Sequence, residues 1–545
     1  MEISANLVSP FTGEQQPGTL LVEDGRIAAI TRGAGPFSTF ILPGFIDAHV
    51  HIESPMLVPR SFARLAVAQG TVATVSDPHE IANVLGVAGV RYMAENARGV
   101  PFTFWWGAPP CVPATAFETA GAAVTAADVE ALFARGECKY LSEVMNFPGV
   151  LAGDAALLAK LAAARRRHLP IDGHAPALSG QAAARYFSAE TGIRTDHECV
   201  AMEEALDKIR CGAHILIREG SAAKNFDALR GLLVTHPQRV MLCSDDKHPD
   251  DLALGHINLL VNRALAAAIP LKNILRAACV NPVEHYGLPV GLLRVGDSAD
   301  FIETDSLADF SRPHIRRMVI AGQTVYDGGL RIAHQPAAAP NRFVARPRVA
   351  GDFGIRAGGE RMRVIEALEG QLLTRHLSEV PTVREGCAIA DPSRDLLKIA
   401  IVNRYVADAP VAVAFIRGFG LKRGAIASSV AHDSHNLVAV GASDEALARA
   451  VNLVIGNQGG LAATDGRRDE TLPLPVAGLM SAAPAEEVVA AYSRLQQMAT
   501  HTLGSTLTAP FMTLSFMALL VIPALKLSDR GLFDAAQFRL TALFE

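Results

Sequence analysis

The chain has 545 residues, enough at roughly 150 residues per domain for three or four domains with full cores. Its 50 Lys and Arg stand against 55 Asp and Glu, a formal charge of −5, which excludes a polyanion-binding protein driven by bulk charge. With 50% hydrophobic and 19% charged residues it is no disordered chain. Its seven Cys, odd in number and never in a CxxC pair, read as reduced thiols of a cytoplasmic protein rather than a disulfide framework.

The N-terminus has no basic stretch followed by an apolar one, so no secretory signal is read. Residues 1–40 read as short strands with Gly turns, and the DG pair in TLLVEDGRIAAI is a hairpin signal. From residue 41, short apolar β-rich segments recur at 41–50, 71–77, 100–108, 139–146, 169–175, 193–198, 214–219 and 239–246. Ala- and Leu-rich stretches of helical period separate them. Eight strands alternating with helices predict an α/β fold, a closed (β/α)8 TIM barrel over residues 41–285, with a doubly wound open sheet as the alternative. The β-rich texture returns in GLPVGLLRVGDSADFI and RRMVIAGQTVYDGG. Residues 1–40 and 286–345 are therefore expected to form one small β-sandwich domain into which the barrel is inserted. The Pro- and Ala-rich stretch 335–350 reads as a linker, and residues 350–545 as a further C-terminal α/β domain. The most apolar run, Phe511–Leu527, is interrupted by Pro523 and followed by Asp529 and Arg530. It is shorter than the about 20 residues a membrane span needs, so it is expected to be a buried segment and no membrane partner is expected.

Titratable residues gather at the carboxyl ends of these strands, where barrels of this kind build their active sites. His49 and His51 close strand 1, His79 follows strand 2, Glu143 ends strand 4, His174 strand 5, His197 strand 6 and Asp245 strand 8. Residues i and i+2 of a strand point the same way, so His49 and His51 can face the barrel axis and hold one metal. Imidazoles with carboxylates and no thiolate suit Mn(II), Fe(II) or Zn(II).

PGFIDAHVHIE at 43–53, with the flanking GTLLVEDGRIAAI and GLLRVGDSADFI, resembles the strand-1 signature and small β domain of the amidohydrolase superfamily. The blocks SEVMNFPGV, DGHAP, TDHE, CSDDKHPDD and IASSVAHDSHNLVAVG extend the resemblance over essentially the whole chain and narrow it to the bacterial adenine deaminase family. The resemblance implies a metal-dependent aminohydrolase of purine salvage that acts on adenine, with two divalent ions, Mn(II) or Fe(II) being the forms associated with the family. His49, His51 and Asp245 match the ligands of one ion, and His174 and His197 those of the other. Glu143 stands where many relatives carry a carbamylated Lys that bridges both. Lys139 is in phase with Glu143 but lies about 13 Å down the strand, too low to bridge. Asp245 would take the proton of an activated water that attacks C6 of adenine and deliver one to the departing amine.

Several residues keep two readings. Glu53 either protonates a ring nitrogen or partners a ligand His. His79, Asp246 and His248 either contact substrate or hold loop structure, and Trp105 and Trp106 either stack on the purine or pack in the core. The HDSHN run, His432–Asn436, either reaches into the barrel mouth, binds a separate ion or forms a hydrogen-bonded turn. A rival amidohydrolase, a cyclic-amide hydrolase or N-acetyl sugar deacetylase, would share the metals and differ in the substrate loops. A non-catalytic relative would lack a ligand, and none is missing. No basic stripe supports a nucleic-acid partner, Arg165–Arg167 reading as a solvated helix end. The superfamily implies a homo-oligomer, a dimer being the expectation.

Overall fold

The computed structural model describes residues 1–545. Strands β1 (Glu2–Val8), β2 (Gln15–Glu23), β3 (Arg26–Arg32) and β4 (Phe40–Pro43) come from the N-terminal flank. The strands β13 (Phe301–Thr304), β14 (Ile315–Ile320) and β15 (Gln323–Asp327) follow the barrel in the chain, and both groups form one seven-stranded sheet, ordered β15-β14-β13-β4-β1-β2-β3. The seam is the antiparallel pairing of β4 with β13, where Leu42 faces Ile302. Residues 41–50 are therefore not one strand: β4 belongs to this sheet and the barrel begins after Gly44. A Cβ on Gly44 would stand 2.1 Å from Val72 Cγ1, so only glycine lets the backbone pass between the two sheets.

The barrel strands are β5 (Phe45–Val50), β6 (Thr71–Ser76), β7 (Thr103–Ala108), β8 (Tyr140–Val144), β9 (Ile171–Gly173), β10 (Thr195–Asp196), β11 (His214–Arg218) and β12 (Val240–Cys243). Parallel pairing runs from β5 to β9 and from β10 to β12. Arg194 N–H donates to Ile171 O at 3.0 Å between the two sets, and Asp245 N–H to His49 O at 2.9 Å returns the last strand to the first. The ring is closed, so the fold is the TIM barrel and not the open sheet. With helices outside and side chains within, β5 and β6 are buried at every position.

Residues 335–349 run without helix or strand into the C-terminal region. There an eight-stranded sheet is ordered Thr374–Glu379, Met362–Ala367, Ala412–Arg417, Leu397–Val402, Leu437–Gly441, Ala425–Ser428, Gly460–Thr464 and Asp469–Pro473. Its strands alternate between two cores. Ile399 and Ile401 join the same apolar core as the barrel, whereas Ala400 and Val402 face the helix Asp444–Gly456. The apolar run at 511–527 folds as a short buried helix, Pro510–Phe516, a turn and the strand Leu525–Ser528. No helix in the protein is long and apolar enough to cross a membrane.

Candidate active site

Three aspartates set the strand ends. The chain reads D-x-H at 47–49, D-x-H at 77–79 and D-x-E at 196–198, and each Asp accepts the backbone N–H two residues on, at 3.3, 3.1 and 2.9 Å. Each also accepts an N–H from a neighbouring strand end: Asp47 from Ser244 at 3.0 Å, Asp77 from Glu143 at 3.3 Å and Asp196 from Ala175 at 3.0 Å. Tyr186 adds a further tie, its hydroxyl donating to Val144 O at 2.7 Å while accepting His174 N–H at 3.1 Å. Asp245 itself has φ of 56°, a left-handed conformation that turns its side chain back over the first strand.

The side chains converge in two overlapping sets. His49 Nε2 is 3.2 Å from His51 Nε2, and Asp245 Oδ1 lies 3.5 and 3.2 Å from the two. Glu143 divides its oxygens, with Oε1 3.4 Å from His51 Nε2, and Oε2 2.8 Å from His174 Nδ1 and 3.3 Å from His197 Nε2. Donors about 2.1 Å from a common ion stand about 3 Å from one another, the spacing seen here. Six buried nitrogen and oxygen donors with one carboxylate facing both sets fit a pair of divalent cations. Arg218, from the end of β11, donates to both oxygens of Glu198 at 2.6 and 3.0 Å and to Asp245 Oδ2. Against the upward push of burial, its guanidinium holds both carboxyls below their usual range.

A cavity lies over this centre. Its floor is the barrel's, with His79, Glu80, Arg218, Glu198 and Asp246 beside five of the six donors just named, His49 lying beneath them. Its roof comes from the C-terminal region: Leu372, His432, Asp433, Phe516, Leu519 and Ile522. The HDSHN run therefore does reach into the barrel mouth. His432 Nδ1 and His435 Nε2 each hydrogen-bond one oxygen of Glu80, and His432 stacks on Phe516 with ring centroids 4.4 Å apart.

His49, His51, Glu143, His174, His197 and Asp245 thus meet at one point, with His79 and Asp246 lining the space above. His79 Nδ1 is 3.2 Å from Asp77 and 3.5 Å from Glu143, and Asp246 Oδ1 accepts from Ser54 Oγ. Two residues fall elsewhere. Glu53 lies behind the cavity wall, its Oε1 accepting Ile81 N–H at 3.1 Å, and burial with the nearby Glu80 charge raises its carboxyl to about 7. Trp106 does not reach the purine space. It stacks on Phe104 at 5.5 Å, in the aromatic layer that Phe62, from the helix Pro59–Val67, shares. Lys139 is exposed beyond the other end of its strand, beside Trp105. Glu80, Glu198, Arg218 and the Phe516–Ile522 wall are parts of the cavity that sequence reasoning did not single out. Glu198 and Arg218 had a visible signal, since Glu198 ends the segment 193–198 and Arg218 stands one residue before the end of 214–219.

The amidohydrolase family model matches residues 40–325, and the adenine deaminase C-terminal domain model matches residues 371–539. The adenine deaminase of Salinibacter ruber is 54% identical over 544 residues, covering 99% of this chain and 98% of its own length. That of Sulfurovum sp. is 52% identical over 539 residues, at 99% and 98%. Among solved structures, N-acetyl-D-glucosamine-6-phosphate deacetylase from Mycobacterium smegmatis covers 60% of this chain and 100% of its own at a TM-score of 0.44 and 16% identity. With one family model spanning half the chain and relatives this similar along its whole length, the chain belongs to the adenine deaminase family of the amidohydrolases.

Proposed function

We propose that the protein hydrolyses adenine to hypoxanthine and ammonia with two divalent cations as cofactors. The observation that carries this is Glu143, whose two oxygens face two separate histidine sets directly beneath the cavity. His49, His51 and Asp245 would hold one ion, His174 and His197 the other, and Glu143 both. When bound, such ions acidify a water to near-neutral pKa and so supply the nucleophile for C6. The donor set, free of thiolate, suits Mn(II), Fe(II) or Zn(II).

The chain's own residues do the rest. Arg218 occupies Asp245 Oδ2, which leaves Oδ1 turned to the centre to accept the water's proton and hand one to the leaving amine. Glu198, sharing Arg218, keeps that guanidinium in place. Asp246 and His79 flank the ring, and Glu53 acts from behind as an acceptor for the backbone at Ile81 rather than on the substrate. Phe516, Leu519 and Ile522 give the purine an apolar surface and exclude bulk water. The same reading takes the protein as a cytoplasmic homo-oligomer, the dimer being the superfamily's expectation.

Loss of adenine absorbance in the ultraviolet, followed with manganese-loaded and chelator-stripped protein, tests the reading. Turnover is expected only in the loaded sample, and Asp245→Asn should lower kcat about 10³-fold. Two bound metals with no turnover of adenine would overturn the substrate and leave the hydrolase, with cyclic amides and other aminopurines next to be tried.

A further inference from the structure

Asp433 is the only carboxylate that the C-terminal region presents to the cavity, and one of its oxygens has nothing to bind. Oδ1 is 3.7 Å from His79 Nε2, whereas Oδ2 is buried with no hydrogen-bond partner in the protein. An ionised carboxylate is acceptor-only, and a buried acceptor without a donor is costly, so the group calls for a ligand N–H. The segment carrying it is rigidly held. His432 N–H donates to Ser515 O at 3.0 Å and His435 N–H to Ala431 O at 2.7 Å, Tyr405 OH donates to Ser434 O at 2.7 Å, and Asn436 Nδ2 donates to Thr119 O at 2.9 Å. Glu80, clasped by His432 and His435, fastens the same segment to the barrel. One imidazole, that of His79, separates Asp433 from Glu143. A purine placed with C6 over the metal donors would extend its far side toward the C-terminal lining, where Asp433 stands.

Adenine has two kinds of N–H: the exocyclic amine, which departs, and a single proton on its five-membered ring. A nucleoside or any N9-substituted adenine has lost the second. We infer that Asp433 is a specificity-determining residue that accepts the ring N–H of the free base, so that the C-terminal region selects adenine over N9-substituted adenines. Glu80, His432 and His435 are positioning residues that hold Asp433 in place. The inference rests on the deaminase reading above.

The test compares kcat/KM for adenine and 9-methyladenine in wild type, Asp433→Ala and Asp433→Asn, all full-length and manganese-loaded, with metal content measured. Where 9-methyladenine does not turn over, its Ki against adenine replaces kcat/KM. Asp433→Ala is expected to lose about 100-fold on adenine at unchanged metal content and far less on 9-methyladenine, shrinking the discrimination; Asp433→Asn, which keeps an acceptor oxygen, should recover part of it. A loss under tenfold on adenine, or an equal loss on both compounds, overturns the assignment. If 9-methyladenine is silent with every form, the adenine figure alone decides. Wild-type protein that holds two metals and leaves adenine untouched would instead refute the deaminase reading itself.

Discussion

Asp47, Asp77 and Asp196 touch no reacting atom, yet each fixes two strand ends at once by accepting one N–H from its own turn and one from a neighbour. Asp47 carries the most, since His256 Nε2 also meets its Oδ2 at 2.7 Å and Ser244 Oγ donates to the same oxygen. It therefore holds His49 and Asp245, which come from opposite ends of the barrel sequence, in one register. Asp47→Asn keeps the shape but replaces one acceptor oxygen with a donor facing His256 and Ser244. Manganese affinity, measured by chelator competition, should fall about 10- to 100-fold, with most activity recovered at saturating metal. An unchanged affinity would mean that the backbone alone holds the ligands.

The loop after β7 shows how an element far from the metals is tied to them. Thr119 N–H donates to Asp529 Oδ1 at 2.9 Å, Arg530 donates to Ala116 O at 2.7 Å and Ser528 Oγ to Phe117 O at 2.9 Å, so the C-terminal strand Leu525–Ser528 and its turn clasp the loop. Inside the clasp Glu118 is 4% exposed, with Oε1 bonded to Thr115 and Oε2 unpartnered. Burial, with the charge of Asp433 beyond it, raises its carboxyl from 4.5 to about 8. A carboxyl whose folded pKa is raised contributes stability that is fully present below its unfolded value and lost as pH rises through its folded value. Glu118→Gln mimics the protonated form at every pH. Its unfolding free energy should match wild type near pH 4.5 and exceed it at pH 9 by more than about 2 kcal/mol, each pKa unit being about 1.4 kcal/mol. Equal differences at both pH values, from denaturant melts, would show that Glu118 titrates normally.

Most of the metal centre was legible because its residues fall at strand ends, where position in the segment already fixes direction. The faces of the strands were harder to read. Parallel strands covered on both sides are apolar throughout, so nothing in FTFWWGA distinguishes Trp106, which packs outward on Phe104, from a residue pointing to the axis. Residues 41–50 read as one apolar run for the same reason, although the run changes sheets at Gly44. The roof of the cavity was illegible for a different reason. Phe516, Leu519 and Ile522 look like any buried run, and only the tertiary return of the chain sets them more than 370 residues away from Glu143 in sequence yet across one cavity.

At the scale of the whole molecule the question is whether the C-terminal region is a lid on a self-sufficient barrel or part of one folding unit. A single apolar core of 134 buried residues runs from Phe45 and Val72 in the barrel through Ile399, Ile426 and Val438 of the C-terminal sheet to Phe516 and Leu527. Smaller separate clusters lie under the helix Asp444–Gly456, with 14 residues, around Met362 and Phe415, with five, and in the N-terminal sheet, with nine, none of them between barrel and roof. Domains that fold independently are divided by seams that few apolar contacts cross, and no such seam separates barrel from roof here. Ions held by barrel residues bind the folded state alone, and at about 1,000-fold over Kd they add about 4 kcal/mol to whatever unit contains the site. Calorimetry of the full chain with and without manganese should therefore show one main transition, shifting as a whole to higher temperature with the metal. Two transitions of which only one moves would mean that the roof unfolds on its own, and the roofed cavity would then be an encounter between two units rather than a feature of one core.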